Sequence, residues 1–390
     1  MCLLTQFDPA GQRKFRRGIA IVNQPMTSSD LAALTRSSGW PTLAPEEAEM
    51  DAGRLQAAVA FAQASQTDWP RDPREALAQR FGGEYGEYGE IIGPTSLHGD
   101  SNGVIVRHGA VVATWGDPLR VDMTFSVAKS CLALIAGLAV DAGLIGDVHA
   151  PVRQAMADDP LDLFASPRNR LVTWHHLLTQ TSELEATLWG KPDIADRREG
   201  RDRTLGAPGT FWEYNDVRVN ALAYALLQVH REPLPTVFRR ELMDRMSAGD
   251  SWRWHGYDNS SLLVDGVQIE SVSGGGHWGG GIVIDALDLA RIGQLMLGRG
   301  SWNGARLLSP EWHQAVLVPT ALNPSYGYLW WLNTAQALRP SVPASAYAAR
   351  GAGPNEVWVS PDHDLVIVLR WMHERHVDGF LAKVLDAVVA

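Results

Sequence analysis

A serine and a lysine three residues apart, Ser126 and Lys129 in the segment Ser-Val-Ala-Lys, have the residue types and spacing best suited to chemistry. The small and apolar residues that follow, 131–137, predict a helix, on which positions i and i+3 lie one above the other. The amine is then within reach of the hydroxyl. Burial disfavours the charged form of an amine, so such a lysine can accept the hydroxyl proton and activate the serine as a nucleophile. Because two fixed residues in four recur by chance, the pattern alone is weak.

The elements that must hold this pair follow from turn residues and hydrophobic periodicity. Residues 102–116 predict a β-hairpin with His108-Gly109 at its turn. Further predicted elements are a helix over residues 44–64, a helix capped by Thr173, helices over 215–229 and 286–297, two strands within 356–371, and a helix from about residue 377. The order is strands, a helical middle and strands again, which predicts an α/β (α+β) fold whose sheet is built from both ends of the chain.

This order also predicts a division into domains. Residues 1–95 are expected to form a partly helical N-terminal extension. Residues 96–145 and 265–390 are expected to form the sheet domain, and residues 146–264 an inserted, mostly helical domain.

Length and composition restrict the class of protein. The chain of 390 residues is 45% hydrophobic and 20% charged, as expected for a globular protein. A net charge of −10 argues against a nucleic-acid partner, and the basic cluster at residues 13–17 is interpreted as a solvated arm. The apolar stretch 131–140 is too short to cross a bilayer, and the start of the chain lacks a signal-peptide core. We therefore expect a cytoplasmic protein without a membrane partner, and a homodimer remains open.

Two other patterns suggest ligand sites that the details do not favour. His175 and His176 could bind a metal, but adjacent residues point to different faces of a helix and no third ligand follows at metal spacing. The glycine-rich segment 274–281 could suggest a phosphate loop, but it lacks the Gly-Lys-Ser/Thr ending. We expect neither a metal nor another cofactor. The two cysteines, Cys2 and Cys131, do not predict a disulfide, and Cys131 is interpreted as a core residue.

Further segments make the chain resemble the penicillin-binding-protein-like serine hydrolases, a group with class C β-lactamases, family VIII esterases and 6-aminohexanoate-dimer hydrolases. The resemblance covers roughly residues 95–390. It rests on six segments in the family's order: Phe125 to Lys129; Val172 to Ser182; Pro208 to Asp216; Gly279 to Gly293; Tyr326 to Trp331; and Ala349 to Val359. Each segment is loose, but six in order are a strong indication. The resemblance implies an antiparallel sheet flanked by helices, with an inserted helical domain.

By this resemblance Tyr214 is the proton-transfer residue of a second motif, which in the family reads Tyr-x-Asn or Tyr-x-Ser. The chain has Asp216 at the last position. Two interpretations stay open. A carboxylate near Lys129 would favour the ammonium form, leaving the lysine to act by electrostatics and hold Tyr214 as phenolate. Alternatively, Asp216 points away and caps the helix that follows.

The third motif of β-lactamases is Lys-Thr-Gly, whose cation meets the substrate carboxylate. The chain has Ala349-Arg350-Gly351 there, and strand alternation sends Ala349 and Arg350 to opposite faces. Arg350 is expected either to bind an acidic substrate end or to pair with a structural carboxylate. The resemblance implies an oxyanion hole made by the backbone N–H groups of Ser126 and Ala352.

The tryptophan content is high, with 15 Trp against 8 Tyr and 9 Phe. Most are expected to pack in the core. Trp189 and Trp331 are candidates for lining a pocket that takes an apolar acyl or alcohol group.

Together these observations predict a serine hydrolase that cleaves small esters or amides through an acyl-enzyme on Ser126. The same-class alternative is a β-lactamase or D,D-peptidase. The different-class alternative is a catalytically silent module that binds a ligand. The departures from the family motifs at Asp216 and Ala349 support this alternative.

Overall fold

The computed structural model describes residues 38–85, 88–156, 158–197 and 203–389. The basic cluster at residues 13–17 lies outside them. The helices are α1 Ala52–Ala64, α2 Pro73–Tyr85, α3 Val127–Asp141, α4 Val152–Ala155, α5 Trp174–Leu178, α6 Asp216–His230, α7 Leu234–Phe238, α8 Ala286–Leu297, α9 Pro310–Val316 and α10 Glu374–Asp386. The strands are β1 Asn102–Arg107, β2 Ala110–Trp115, β3 Asp122–Met123, β4 Thr187–Leu188, β5 Lys191–Pro192, β6 Arg253–Val264, β7 Val267–Val272, β8 Gly281–Ile284, β9 Ser301–Trp302, β10 Ala305–Arg306, β11 Trp331–Leu332, β12 Tyr347–Gly351, β13 Asn355–Ser360 and β14 Leu365–Arg370.

The main sheet is antiparallel and has the strand order β11-β12-β13-β14-β1-β2. Strand β14 pairs with β1, so strands from both sides of the helical middle meet in one sheet, as the sequence predicted. A smaller sheet has the order β3-β8-β6-β7. The mixed α/β fold with an antiparallel sheet flanked by helices is confirmed.

Helices cover both faces of the main sheet because its strands are apolar on both sides. In β1, Val104 and Val106 pack toward the face covered by α3 and α8. Ile105, between them, packs toward the opposite face, where α1 and α10 lie against each other. This period-two alternation is the one expected of a strand buried on both faces.

The nucleophile helix α3 lies in the centre of the larger core, where it contacts α6 and β12. It is buried on nearly every side, which fits its small and apolar composition. Gly137 allows the closest approach, because a β-carbon there would lie 2.3 Å from the Trp312 ring. The sequence thus brings the Ser126 end of α3 beside the main sheet.

Several predicted elements are confirmed and two begin elsewhere. The hairpin turns at His108-Gly109, both with positive φ, and α5 is capped by Thr173. The first helix begins at Ala52 rather than near residue 45, because Asp51 caps it through the Arg54 amide at 2.8 Å. The last helix begins at Glu374, earlier than predicted, because the His373 side chain accepts a hydrogen bond from the Arg375 amide.

The domain division of the sequence analysis stays a prediction. The predicted boundary between residues 264 and 265 falls at the turn of the β6–β7 hairpin. Among the described residues, no helix is long and apolar enough to span a bilayer.

Candidate active site

Ser126 sits at a strained turn immediately before α3. The preceding residue, Phe125, has φ +49°, a conformation that bulky side chains rarely adopt and that costs of the order of 1–3 kcal/mol. Packing holds it there: the ring of Phe125 is buried and meets Trp69 edge-on, with the centroids 5.5 Å apart. A β-carbon on Gly275 would lie only 2.1 Å from the Phe125 carbonyl oxygen. The turn is therefore fixed from two sides, and Ser126 itself lines a pocket.

Lys129, one turn further along α3, is buried and directs its amine to three oxygen atoms. Nζ lies 2.9 Å from Ser126 Oγ, 3.2 Å from the Gly274 carbonyl oxygen and 2.7 Å from Asp216 Oδ1. Three acceptors match the three hydrogens of an ammonium group. Burial alone would lower the pKa of Lys129, but Asp216 and Tyr214 more than offset it, so the pKa lies above its ordinary value. Lys129 is therefore a cation that donates a hydrogen bond to Ser126 Oγ.

The carbonyl of Gly274 is held in place from behind. The Gly274 amide donates to Asn220 Oδ1 at 3.0 Å, and Asn220 Nδ2 donates to the Tyr257 hydroxyl at 3.1 Å. These groups are buried, so their hydrogen bonds are strong and directional. The acceptor for Lys129 is thus part of a rigid network.

Asp216 is the first residue of α6 and contacts Lys129. The cap of this helix is the neighbouring Asn215, whose side chain accepts a hydrogen bond from the Arg218 amide at 3.1 Å. Of the two interpretations left open by the sequence, the structure has the carboxylate near the lysine. Tyr214, two residues earlier, places its ring centroid 5.1 Å from Lys129 Nζ and also lines the pocket.

Asp216 also joins two residues that sequence reasoning missed. Its Oδ2 lies 3.0 Å from His277 Nδ1, and its backbone amide donates to Asp196 Oδ2 at 2.5 Å. His277 lies in the glycine-rich segment 274–281, whose sequence suggested only a phosphate loop. Asp196 has no recognisable motif around it, so no sequence signal marks it.

Asp196, Asp216 and His277 bring oxygen and nitrogen atoms within 4.8 Å of one another, a spacing that a metal ion could use. The Lys129 ammonium already lies against Asp216 and supplies positive charge there. We therefore assign no metal to this cluster.

A buried ionic network fixes the segment that carries Tyr214 and Asp216. Glu213 lies 3.1 Å from Arg203 and 3.6 Å from Arg218. Both arginines also contact Glu183, which is fully buried, at 2.6 and 3.2 Å. The two cations and two carboxylates compensate one another, which a buried charge requires.

Strand β12 runs past the other side of Ser126. Ala349 is buried in the core, whereas Arg350 on the opposite face lines the pocket. Gly351 comes so close to the nucleophile turn that a β-carbon there would lie 2.0 Å from the Thr124 carbonyl oxygen and 3.1 Å from the Ser126 amide nitrogen. Ala352 follows at the pocket wall. The backbone at this end of β12 is thus next to the Ser126 amide.

The guanidinium of Arg350 is engaged by two glutamates. Its Nε lies 2.8 Å from Glu356 Oε1 and its Nη2 lies 3.3 Å from Glu374 Oε1. Arg339 contacts the same two carboxylates at 3.2 and 2.7 Å. Burial would raise the pKa of Glu356, but Arg350 and Arg339 more than offset it, and the pKa lies below its ordinary value. Arg350 is therefore paired with structural carboxylates.

The pocket has a volume of about 520 Å³, and aromatic side chains form part of its wall beside acidic and small residues. The aromatic side chains that line it are Trp69, Phe125, Trp212, Tyr214 and Trp331. Trp331 stacks on Tyr214 with the ring centroids 5.7 Å apart. Trp189, the other candidate, is not among the lining residues. It packs against the core elsewhere, and its carbonyl accepts a hydrogen bond from Asn259.

The chain matches the description of one protein family and the fold of several solved structures. The family profile named Beta-lactamase matches residues 95–383. A penicillin-binding-protein homologue from Caulobacter crescentus is 15% identical, with 79% of this chain and 93% of that chain covered and a TM-score of 0.51. EstCE1, described as a hydrolase with promiscuous acyltransferase activity, is 16% identical, with 86% and 100% covered and a TM-score of 0.52.

An octameric penicillin-binding-protein homologue from Pyrococcus abyssi is also 16% identical, with 79% and 75% covered and a TM-score of 0.53. At these identities the likeness shows the fold alone. Among curated proteins, no sequence matches the chain. The family match spans about three quarters of the chain, and the fold agrees with it. The chain therefore belongs to the Beta-lactamase family, a family of serine hydrolases related to penicillin-binding proteins.

Proposed function

We propose that the protein hydrolyses small apolar esters, and more slowly amides, through an acyl-enzyme on Ser126. The observation that carries this proposal is the contact of Ser126 Oγ with the buried Lys129 ammonium, at 2.9 Å, at the wall of a pocket. A hydroxyl in such a place is exposed to a bound ester and lies in a strong local field.

The first step is attack of Ser126 Oγ on the substrate carbonyl carbon. Lys129 is an ammonium with three acceptors and is not the group that takes the proton. In this step Tyr214 acts as a phenolate, held in that form by the nearby Lys129 charge: it receives the Ser126 proton and gives it to the leaving alkoxide. The backbone N–H groups of Ser126 and Ala352 hold the oxyanion, since the end of β12 lies beside the Ser126 amide.

The walls of the pocket favour an apolar substrate. Trp69, Trp212 and Trp331 offer aromatic surface on which an acyl chain or an alcohol group can pack. The cation on β12, Arg350, is held by Glu356 and Glu374, and Ala349 is buried. A lactam carboxylate would have to compete with those two carboxylates for Arg350. The contacts therefore favour simple esters over β-lactams.

The test compares an ester and an amide of the same acyl group with one β-lactam. We expect p-nitrophenyl butyrate to be turned over faster than butyryl p-nitroanilide, and nitrocefin to be a poor substrate. Tyr214→Phe should lower the acylation rate about 10²–10⁴-fold, the usual range for a proton-transfer residue. Hydrolysis of nitrocefin at the rate of the ester would favour the β-lactamase alternative. Full activity of Tyr214→Phe would remove this residue from the mechanism.

A further inference from the structure

The geometry points to His277 as the general base that activates water in the second half of the reaction, hydrolysis of the acyl-enzyme. This inference rests on the proposed function, since it concerns the ester formed on Ser126. After acylation the alcohol has left, and a water molecule must lose a proton as it attacks. The pocket must supply a group that can accept that proton.

Lys129 is not suited to this task, because its three hydrogens are directed to Ser126 Oγ, the Gly274 carbonyl and Asp216 Oδ1. An ammonium group has no lone pair to offer. Once Tyr214 has given its proton to the leaving alcohol it is again a phenolate, so it is the competing base for this step. His277 is a further titratable side chain at the pocket wall, and its loop is packed against the nucleophile turn.

The ring of His277 is oriented by Asp216. Asp216 uses its two oxygens for different partners: Oδ1 lies 2.7 Å from Lys129 Nζ, and Oδ2 lies 3.0 Å from His277 Nδ1. The backbone amide of His277 donates to the same Oδ2 at 3.3 Å. When Nδ1 donates to the carboxylate, the neutral ring carries its lone pair on Nε2. An aspartate behind a histidine thus selects the tautomer that a general base requires.

Two glycines permit this arrangement. A β-carbon on Gly276 would lie 1.8 Å from Asp216 Oδ2, and one on Gly275 would lie 2.1 Å from the Phe125 carbonyl oxygen. The loop that carries His277 is therefore in close contact with both the carboxylate and the turn before Ser126. Glycines are needed directly before His277 because a side chain at either position would collide with these groups.

The water oxygen forms a bond to the acyl carbonyl carbon, and His277 Nε2 takes the water proton. The tetrahedral intermediate collapses, the bond between that carbon and Ser126 Oγ breaks, and the proton on His277 returns to Ser126 Oγ. The products are the free carboxylic acid and the enzyme in its starting state.

The experiment uses His277→Asn and His277→Ala in the full chain. The asparagine side-chain N–H can replace Nδ1–H as the donor to Asp216, but it has no basic nitrogen in place of Nε2. With p-nitrophenyl butyrate, we expect both variants to release one equivalent of p-nitrophenol in a burst. Turnover should then fall about 100-fold or more, since general bases contribute about 10²–10⁴-fold. Intact-protein mass spectrometry should show a butyryl group accumulating on Ser126.

His175→Asn is the matched control. Its Nδ1 also makes one hydrogen bond, at 2.8 Å to the Tyr328 hydroxyl, and the residue does not line the pocket. This variant should keep the wild-type ratio of burst to turnover. The inference is overturned if His277→Asn turns over like the wild type, or if it loses burst and turnover together, which would indicate a positioning role only. The proposed function fails separately, if Ser126→Ala still hydrolyses the ester.

Discussion

The contact between Lys129 and Asp216 should determine which residue accepts the Ser126 proton. At 2.7 Å and an effective dielectric constant of about 20, the attraction between the two charges is about 6 kcal/mol. Asp216→Asn removes this attraction while keeping a similar side-chain shape. Burial of Lys129 is then opposed only by the smaller influence of Tyr214 and Asp196, so we expect its pKa to fall below the ordinary value and its neutral form to become populated.

A neutral Lys129 has a lone pair and can take the Ser126 proton itself. The substitution also gives the segment the Tyr-x-Asn pattern that the related hydrolases have. In the wild type, Tyr214→Phe should lower the acylation rate about 10²–10⁴-fold. In the Asp216→Asn background, Tyr214→Phe should lower the acylation rate by a factor that is at least about 10 times smaller than in the wild type. The burst rate with p-nitrophenyl butyrate measures this, because it reports acylation and is independent of the later step.

Stability should change with pH in a direction that follows from the same contact. In the wild type the pKa of Lys129 is raised, so its pairing stabilises the fold below the pKa of an unfolded lysine, and this contribution is lost as the pH rises through the folded pKa. In Asp216→Asn the contribution of Lys129 to stability changes with pH in the opposite direction. The free energy of unfolding should fall by about 3–5 kcal/mol when Lys129 is charged, and the deficit should close as the pH rises. Urea denaturation at several pH values measures it.

Asp288→Asn is the matched control. Asp288 lies 3.1 Å from Arg291, both are buried, and neither lines the pocket. An arginine does not deprotonate, so the variant should lose stability but keep ester hydrolysis. Equal effects of Tyr214→Phe in both backgrounds, with no closing of the Asp216→Asn stability deficit at high pH, would refute the assignment of Lys129 as a cation.

Two further variants test the pocket walls. Gly351→Ala should lower kcat about 10²–10³-fold, because its β-carbon would lie 2.0 Å from the Thr124 carbonyl oxygen and disturb the oxyanion site. Gly146→Ala is the control and should leave kcat unchanged, because a β-carbon there would have no atom within 4 Å. Equal kinetics for the two variants would contradict this role of Gly351. Arg350→Gln should reduce the free energy of unfolding by about 1–3 kcal/mol, since Glu356 loses one of its cations. The lowered pKa of Glu356 makes its contribution present at neutral pH and lost as the pH falls through the folded pKa, so the variant's deficit should shrink in acid.

Sequence reasoning reached the fold, and the candidate site residues that it named lie together in the structure, because most of these features are local or periodic. The helix after Ser126, the hairpin at residues 102–116 and the helix over residues 286–297 follow from patterns within one segment. The ordered segments of the family resemblance then related Tyr214 and residues 349–351 to Ser126. The structure places Ser126, Tyr214, Arg350 and Gly351 around one pocket, with Ala349 buried behind them.

The remaining features depend on contacts between distant segments, which one sequence does not specify. His277 lies 61 residues from Asp216 along the chain, and their contact depends on the glycine loop folding back against α6. Trp189 has the same residue type as Trp331, yet only Trp331 lines the pocket, because the fold and not the residue type decides exposure. The pairing of Arg350 with Glu356 was one of two alternatives, and the β12–β13 register, which sets the two residues opposite each other, accounts for it.

Covalent labelling of the serine tests the central claim most directly. The protein is treated with a fluorophosphonate, and the labelled residue is identified by peptide mass spectrometry. The rate of p-nitrophenyl butyrate hydrolysis is measured on the same variants. Ser130→Ala is the matched control, since Ser130 lies in the same helix but donates its hydroxyl to the Leu329 carbonyl at 2.7 Å. We predict one label on Ser126 in the wild type and in Ser130→Ala, and neither label nor hydrolysis in Ser126→Ala. A label on another residue, or hydrolysis by Ser126→Ala at the wild-type rate, would contradict the account.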